Sequence, residues 1–151
     1  MRRWRTKKEG EQALGRSRGG YTSKIHVLVD GLGNPLRVCL TPGQRHDSTQ
    51  AVSLIGDFKF ENLLADRGYA GQEIVQYLVE QGMKVVIPPH QCAKTEREYD
   101  KWVYRERHLV ECFINKIKHF RRIFSRFDKL DRSYLGFLHF VCSMIWLRWV
   151  G

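Results

Sequence analysis

The chain has 151 residues, of which 42% are hydrophobic and 12% aromatic, and this is enough apolar material for one domain with a real core. Its net charge of +10 is segregated: residues 1 to 20 hold seven Arg or Lys against two Glu, residues 101 to 132 hold ten against four acids, and residues 21 to 100 carry eight bases and ten acids. Such blocks suit a protein that neutralises phosphates, and no lipidation motif or basic amphipathic anchor at a terminus directs them to a membrane instead.

Residues 1 to 20 are basic and dotted with Gly10, Gly15, Gly19 and Gly20, with almost no apolar periodicity, and read as a flexible arm that includes Trp4. The start of this arm has the positive charge of a signal peptide but no apolar stretch behind it. From residue 21 to 151 the chain reads as one folded unit. YTSKIHVLVD is rich in β-branched residues, GLGNP turns the chain, and LRVCLTPG returns it, which predicts a hairpin over Tyr21 to Thr41 with Asp30 as a turn residue.

Gly43 to Asp47 is a polar loop, and Ser48 or Thr49 can cap a helix running to about Ile55. His46 and Asp47 in that loop could be an acid–base pair or could serve the helix start. NLLAD is a short apolar strand ending at Asp66, with RGYAG as the turn behind it. Gln72 to Gln81 carries Ile74, Val75, Leu78 and Val79 at helical spacing, Gly82 stops it, and MKVVIPP is a buried strand closed by Pro88 and Pro89. Strand, helix and strand from Asn62 to Pro88 form a crossover unit suited to a parallel pair.

The four cysteines, Cys39, Cys92, Cys112 and Cys142, stand far apart with no C-x-x-C pair, so reduced thiols are expected, and a zinc site from His90 and Cys92 lacks two further ligands at suitable spacing. Tyr134 to Leu147 holds no Lys, Arg, Asp or Glu but is shorter than the roughly 20 residues of a spanning helix, so it reads as a buried helix. Trp146 and Trp149, three apart on an apolar helix, read as core or interface.

The stretch YRERHLVECFINKIK, Tyr104 to Lys118, is the most informative. At about 100° per residue, Tyr104, Arg107, Glu111 and Lys118 fall within roughly 60° of one another, beside an apolar face of Val103, Val110, Phe113, Ile114, Ile117 and Phe120. An acid between an aromatic hydroxyl and two cations could grip a phosphate and a metal together; a solvated helix edge is the plain alternative.

The spacing resembles the Y-x2-R-x3-E-x6-K signature of bacterial insertion-sequence transposases of the DDE type. The likeness extends through LGRSRGGYTSKIH, LTPGQRHD and LLADRGYAG into this helix. The resemblance implies an α/β domain of ribonuclease H-like fold, a mixed sheet flanked by helices, acting in metal-dependent DNA strand cleavage and transfer at element ends. It implies Asp66 and Glu111 as the second and third catalytic acids and as ligands of Mg²⁺ or Mn²⁺, although Asp66 taken alone reads rather as a turn residue. It implies Tyr104, Arg107 and Lys118 as DNA-binding residues, with double-stranded DNA as partner, a homo-oligomer as the possible assembly, and a bacterial cytoplasmic, nucleoid-associated location. In that family the first acid lies on a strand upstream of the basic segment, and here no Asp or Glu precedes Glu9. The sheet is therefore expected to lack its first strand, and the chain alone to be inactive, either as the downstream product of two overlapping frames or as a truncation. A non-catalytic DNA-binding remnant or regulator of transposition is the alternative reading; ribosomal-type RNA binding would explain the charge but not the register.

Overall fold

The computed structural model describes residues 15–17, 20–44, 46–89, 97–125 and 130–147. They form a mixed α/β structure with two small sheets. Strands β1 (Gly15–Ser17), β2 (Gly20–Val29) and β3 (Pro35–Pro42) are antiparallel in the order β1-β2-β3, and β4 (Asn62–Leu64) pairs in parallel with β5 (Lys84–Val86). The helices are α1 (Ser48–Ile55), α2 (Gln72–Glu80), α3 (Lys101–Tyr104), α4 (His108–Lys118), α5 (Arg121–Phe124) and α6 (Asp131–Leu147).

The predicted hairpin forms for the anticipated reason. Asp30 Oδ1 accepts the Leu32 and Asn34 backbone N–H groups at 2.9 and 2.8 Å, and Gly33 supplies the left-handed residue, φ 82°, that closes the turn. One correction concerns the basic arm: Gly15–Ser17, read from sequence as part of it, is a strand whose register is Gly15 to Thr22 and Ser17 to Gly20. The rest of the arm, including Trp4, lies outside the described residues, as do His90, Cys92 and Trp149. Three free thiols, Cys39, Cys112 and Cys142, are described.

The period of two along β2 sorts the molecule into layers. Ile25, Val27 and Val29 join a core with Phe113 and Ile117 of α4, Ile123 of α5, and Tyr134, Leu138, Val141 and Ile145 of α6. On the other face Leu28 joins a core with Ala51 and Ile55 of α1, Leu63 of β4, and Ile74 and Leu78 of α2. Phe113, Ile117, Leu138 and Leu78 are fully or almost fully buried, each worth about 1.5–3 kcal/mol of transfer free energy. Only one face of α6 is buried, which corrects the buried-helix expectation: Phe140, Met144 and Leu147 are exposed, and Trp146 is outside the core at 43% exposed, although its indole N–H donates to the Pro35 carbonyl at 2.8 Å. Among the described residues no helix is long and apolar enough to cross a membrane.

Among the described residues no strand joins the two sheets. The end of β2, Leu28 and Val29, faces the start of β4 across a cavity of about 400 Å³ that is closed by Val103, Leu109 and Val110. A smaller cavity uses Leu28, Leu63 and Leu64 again, but opens toward Ala51 and Leu54 of α1 and Ile74 of α2. Earlier in β2, His26 reaches Tyr69 beyond the end of β4. The two strands thus run in opposite directions with their facing edges unjoined, and the space between them opens onto both helical layers.

Candidate functional site

Asp66 lies just past β4, at the carboxyl end shared by the parallel β4–β5 pair, the end at which open α/β sheets take ligands. Its extended backbone ends the strand and its side chain starts a 3-10 turn, Arg67–Tyr69: Oδ1 accepts the Gly68 N–H at 2.9 Å. The carboxylate remains exposed. Asp47 leans on the same glycine, since a Cβ added at Gly68 would lie 3.0 Å from Asp66 Oδ1 and 3.4 Å from Asp47 Oδ2. The α1 start was expected to be capped by Ser48 or Thr49; the cap position is Asp47, which makes no side-chain capping bond and instead holds Lys24 Nζ at 2.9 Å. Thr49 Oγ1 donates to the His46 carbonyl at 2.8 Å.

The signature stretch is not one uninterrupted α-helix, and this corrects the single-stripe expectation. Asp100 caps α3 by accepting the Trp102 and Val103 N–H groups, bonds that hold its carboxyl below the usual range, and residues Arg105–Arg107 then form a 3-10 turn before α4 resumes. Side chains three apart eclipse one another in a 3-10 turn. That favours the two cation–π contacts found here, Arg105 over Trp102 at 5.6 Å and Arg107 over Tyr104 at 5.8 Å. Arg107 also donates to Glu111 Oε1 at 2.7 Å, four residues on, with both side chains partly in solvent. Tyr104, Arg107 and Glu111 therefore form one linked row. Lys118 is exposed at the far end of α4, beyond that row. Among the described residues no hydrogen bond or ion pair links Asp66 to Glu111, and no group of three His, Cys, Asp or Glu is arranged to hold a metal.

Sequence reasoning passed over the groups that brace the Asp66 turn. His26, 3% exposed, bridges Tyr69 and Thr41: its Nδ1 lies 2.9 Å from the Tyr69 hydroxyl and its Nε2 2.8 Å from Thr41 Oγ1. Burial pushes the His26 pKa down, against the pull of Asp47, so the neutral ring is favoured. Burial also raises the Tyr69 phenol, with Asp47 and Asp66 adding to the effect. The chain of bonds ties the β2–β3 hairpin to the turn that presents Asp66. A signal was available: His26 shares the parity of Leu28 on β2, and a histidine on an inward strand face demands polar partners.

Comparison with known proteins points to one family. A family model described as a transposase DDE domain matches residues 2–146. A Brucella ovis protein provisionally assigned as transposase for insertion sequence element IS6501 is 37% identical over 130 residues, covering 84% of this chain and 99% of that protein. A Burkholderia cepacia protein provisionally assigned to element IS402 is 30% identical over 156 residues, 95% of this chain and 71% of that protein. No solved structure matches. With a match spanning nearly its whole length and two such relatives, the chain belongs to the transposase DDE domain family.

Proposed function

We propose that this chain is the Asp66- and Glu111-bearing portion of a DNA transposase that cleaves and transfers strands at the ends of an insertion element, built on a ribonuclease H-like sheet. The observation that carries the reading is the position of Asp66 at the carboxyl end of β4 together with the Tyr104, Arg107, Glu111 and Lys118 register that runs from α3 through the 3-10 turn into α4. Phosphoryl transfer to a hydroxyl acceptor needs the attacking and leaving oxygens stabilised, which Mg²⁺ or Mn²⁺ would supply when bound. Asp66 and Glu111 fit such a hard cation in kind, being exposed carboxylates. Glu111 would first have to exchange part of its bond with Arg107. Arg107 would then be released to hold a DNA phosphate, with Tyr104 stacked beneath it and Lys118 as a point charge further along.

Two carboxylates are fewer than the reaction's usual set, and the gap between β2 and β4 supports the view that a strand bearing the remaining acid belongs there. On this reading the 151 residues alone are inactive. The test is a cleavage assay with Mg²⁺ or Mn²⁺ on element-end DNA, comparing this chain with one extended upstream. Activity only in the extended form, abolished by Glu111→Gln or Asp66→Asn, is the expected result; full activity of the 151 residues would refute the missing-acid reading.

The Arg107–Glu111 pair favours one second reading, a DNA-binding protein without catalysis that regulates transposition, because the pair neutralises the acid a metal would use. Retention of DNA binding with no cleavage from the extended chain would select it.

A further inference from the structure

Beside the Asp66 turn, next to the row that begins at Tyr104, lies a cavity of about 530 Å³ that none of Tyr104, Arg107, Glu111 and Lys118 lines. Three segments wall it. Arg67 opens the turn after Asp66, Pro88 and Pro89 follow β5, and residues 97–101 lead into α3. Because β4 and β5 are parallel, the cavity sits at the carboxyl ends of both.

Its chemistry is cationic. Arg67, Arg97 and Lys101 line it against one carboxylate, Glu98. Arg97 donates from Nη2 to the Ile87 carbonyl at 2.7 Å, which pins the guanidinium to the end of β5, while its Nε is buried with no hydrogen-bond partner. A guanidinium held in a fixed orientation on the cavity wall is a planar donor for a phosphate that enters. The remaining wall is apolar and fixed in place: Pro88 is buried, and the Tyr99 ring is held edge-on against Tyr104 with centroids 5.4 Å apart. The volume exceeds what one phosphate needs and lies within the roughly 300–1,000 Å³ of small-ligand sites.

We propose that this cavity binds one nucleotide of a DNA strand, its phosphate on Arg67, Arg97 and Lys101 and its sugar and base against Tyr99 and the two prolines. The strand is thereby held one residue from the Asp66 carboxylate. Only the identity of the polymer rests on the transposase reading; the anion site rests on the cavity.

The test is equilibrium binding of a fluorescent oligothymidylate of about eight nucleotides to the full chain across a salt series, without metal. Arg67→Gln and Lys101→Gln should each weaken binding several-fold and lower the log–log salt slope by about 0.7 per lost contact. Tyr99→Leu should weaken binding with the slope unchanged, and Arg97→Lys should weaken it at an unaltered melting temperature. Lys59→Gln, on an exposed loop remote from the cavity walls, should bind as the wild type does. Equal losses from Lys59→Gln and Lys101→Gln would mean a diffuse field and overturn the site, as would wild-type binding by the Arg67, Lys101 and Tyr99 variants. Because nothing is cleaved in this measurement, its failure leaves the Asp66–Glu111 reading standing, and a failed cleavage assay leaves the cavity standing.

Discussion

Replacing Tyr69 by Phe keeps the ring and deletes only the hydroxyl that meets His26 Nδ1 at 2.9 Å. His26 is 3% exposed and Thr41 1%, so water cannot readily replace the lost partner. Leaving one buried polar atom unsatisfied costs about 1–3 kcal/mol. For a chain of this size about 1 kcal/mol moves the melting temperature by about 2–4 °C, so Tyr69→Phe should melt roughly 2–12 °C lower. Thr41→Val should cost a comparable amount through Nε2. The two changes share one imidazole, so they should not add: a double-mutant cycle should give a coupling of about 0.5–3 kcal/mol. The assay is urea unfolding of the four proteins of the cycle, with exchange of the Gly68 and Tyr69 amides followed in parallel. Faster exchange there in Tyr69→Phe would report loosening of the turn that presents Asp66. Unchanged stability, or additivity within about 0.5 kcal/mol, would refute the idea that the bridge braces this turn.

Gly68→Ala should disturb the site more than the fold, because the new Cβ meets Asp66 Oδ1 at 3.0 Å and Asp47 Oδ2 at 3.4 Å; metal-dependent cleavage by the upstream-extended chain should fall by at least tenfold with the melting temperature shifted by no more than about 3 °C, or about 1 kcal/mol. Acid should weaken the fold partly through His26, whose folded pKa is depressed by burial. The unfolded chain then takes the proton first, so the stability tied to the neutral ring is complete above about pH 6.5 and is lost as pH falls through the lower folded value. Urea midpoints of His26→Gln should depend less on pH than the wild type's below that point, and parallel curves would contradict this. Arg107→Ala should weaken duplex binding uniformly across sequences and lower the salt slope by about 0.9, one phosphate contact; a titration over salt concentration with an unaltered slope would assign Arg107 to Glu111 alone.

What the sequence revealed and what it hid have physical causes. The β2–β3 hairpin, α2 and β5 were legible because each carries its own period and its own punctuation: Asp30 and Gly33 at the turn, Ile74 and Leu78 on one helical face, Pro88 after the last strand. Gly15–Ser17 was not legible, since a three-residue strand of Gly, Arg and Ser has no alternation to display and owes its shape to the β2 edge it joins. The 3-10 turn at Arg105–Arg107 was hidden for a related reason, as residues three apart fall near one another in either kind of helix and the apolar spacing does not tell the two apart. The cavity beside Asp66 draws on residues near 67, 88 and 101, so only tertiary structure gathers its cations.

The site shows the same division. Asp66 and Glu111 could be picked from the chain because each stands in a patterned segment, but their supports come from elsewhere: His26 and Thr41 from the hairpin hold the Asp66 turn through Tyr69, and Arg107 holds Glu111. The two supports differ in kind. The first is buried and neutral, so it resists water and salt and fixes geometry. The second is a half-exposed ion pair worth little in itself, about 0–1 kcal/mol, and an incoming phosphate or cation can compete for either partner. The β2–β3 side of the site is thus built to stay still and the α4 side to exchange partners. On the proposed function, that asymmetry would let one carboxylate wait in place while the other is released from its arginine as DNA binds.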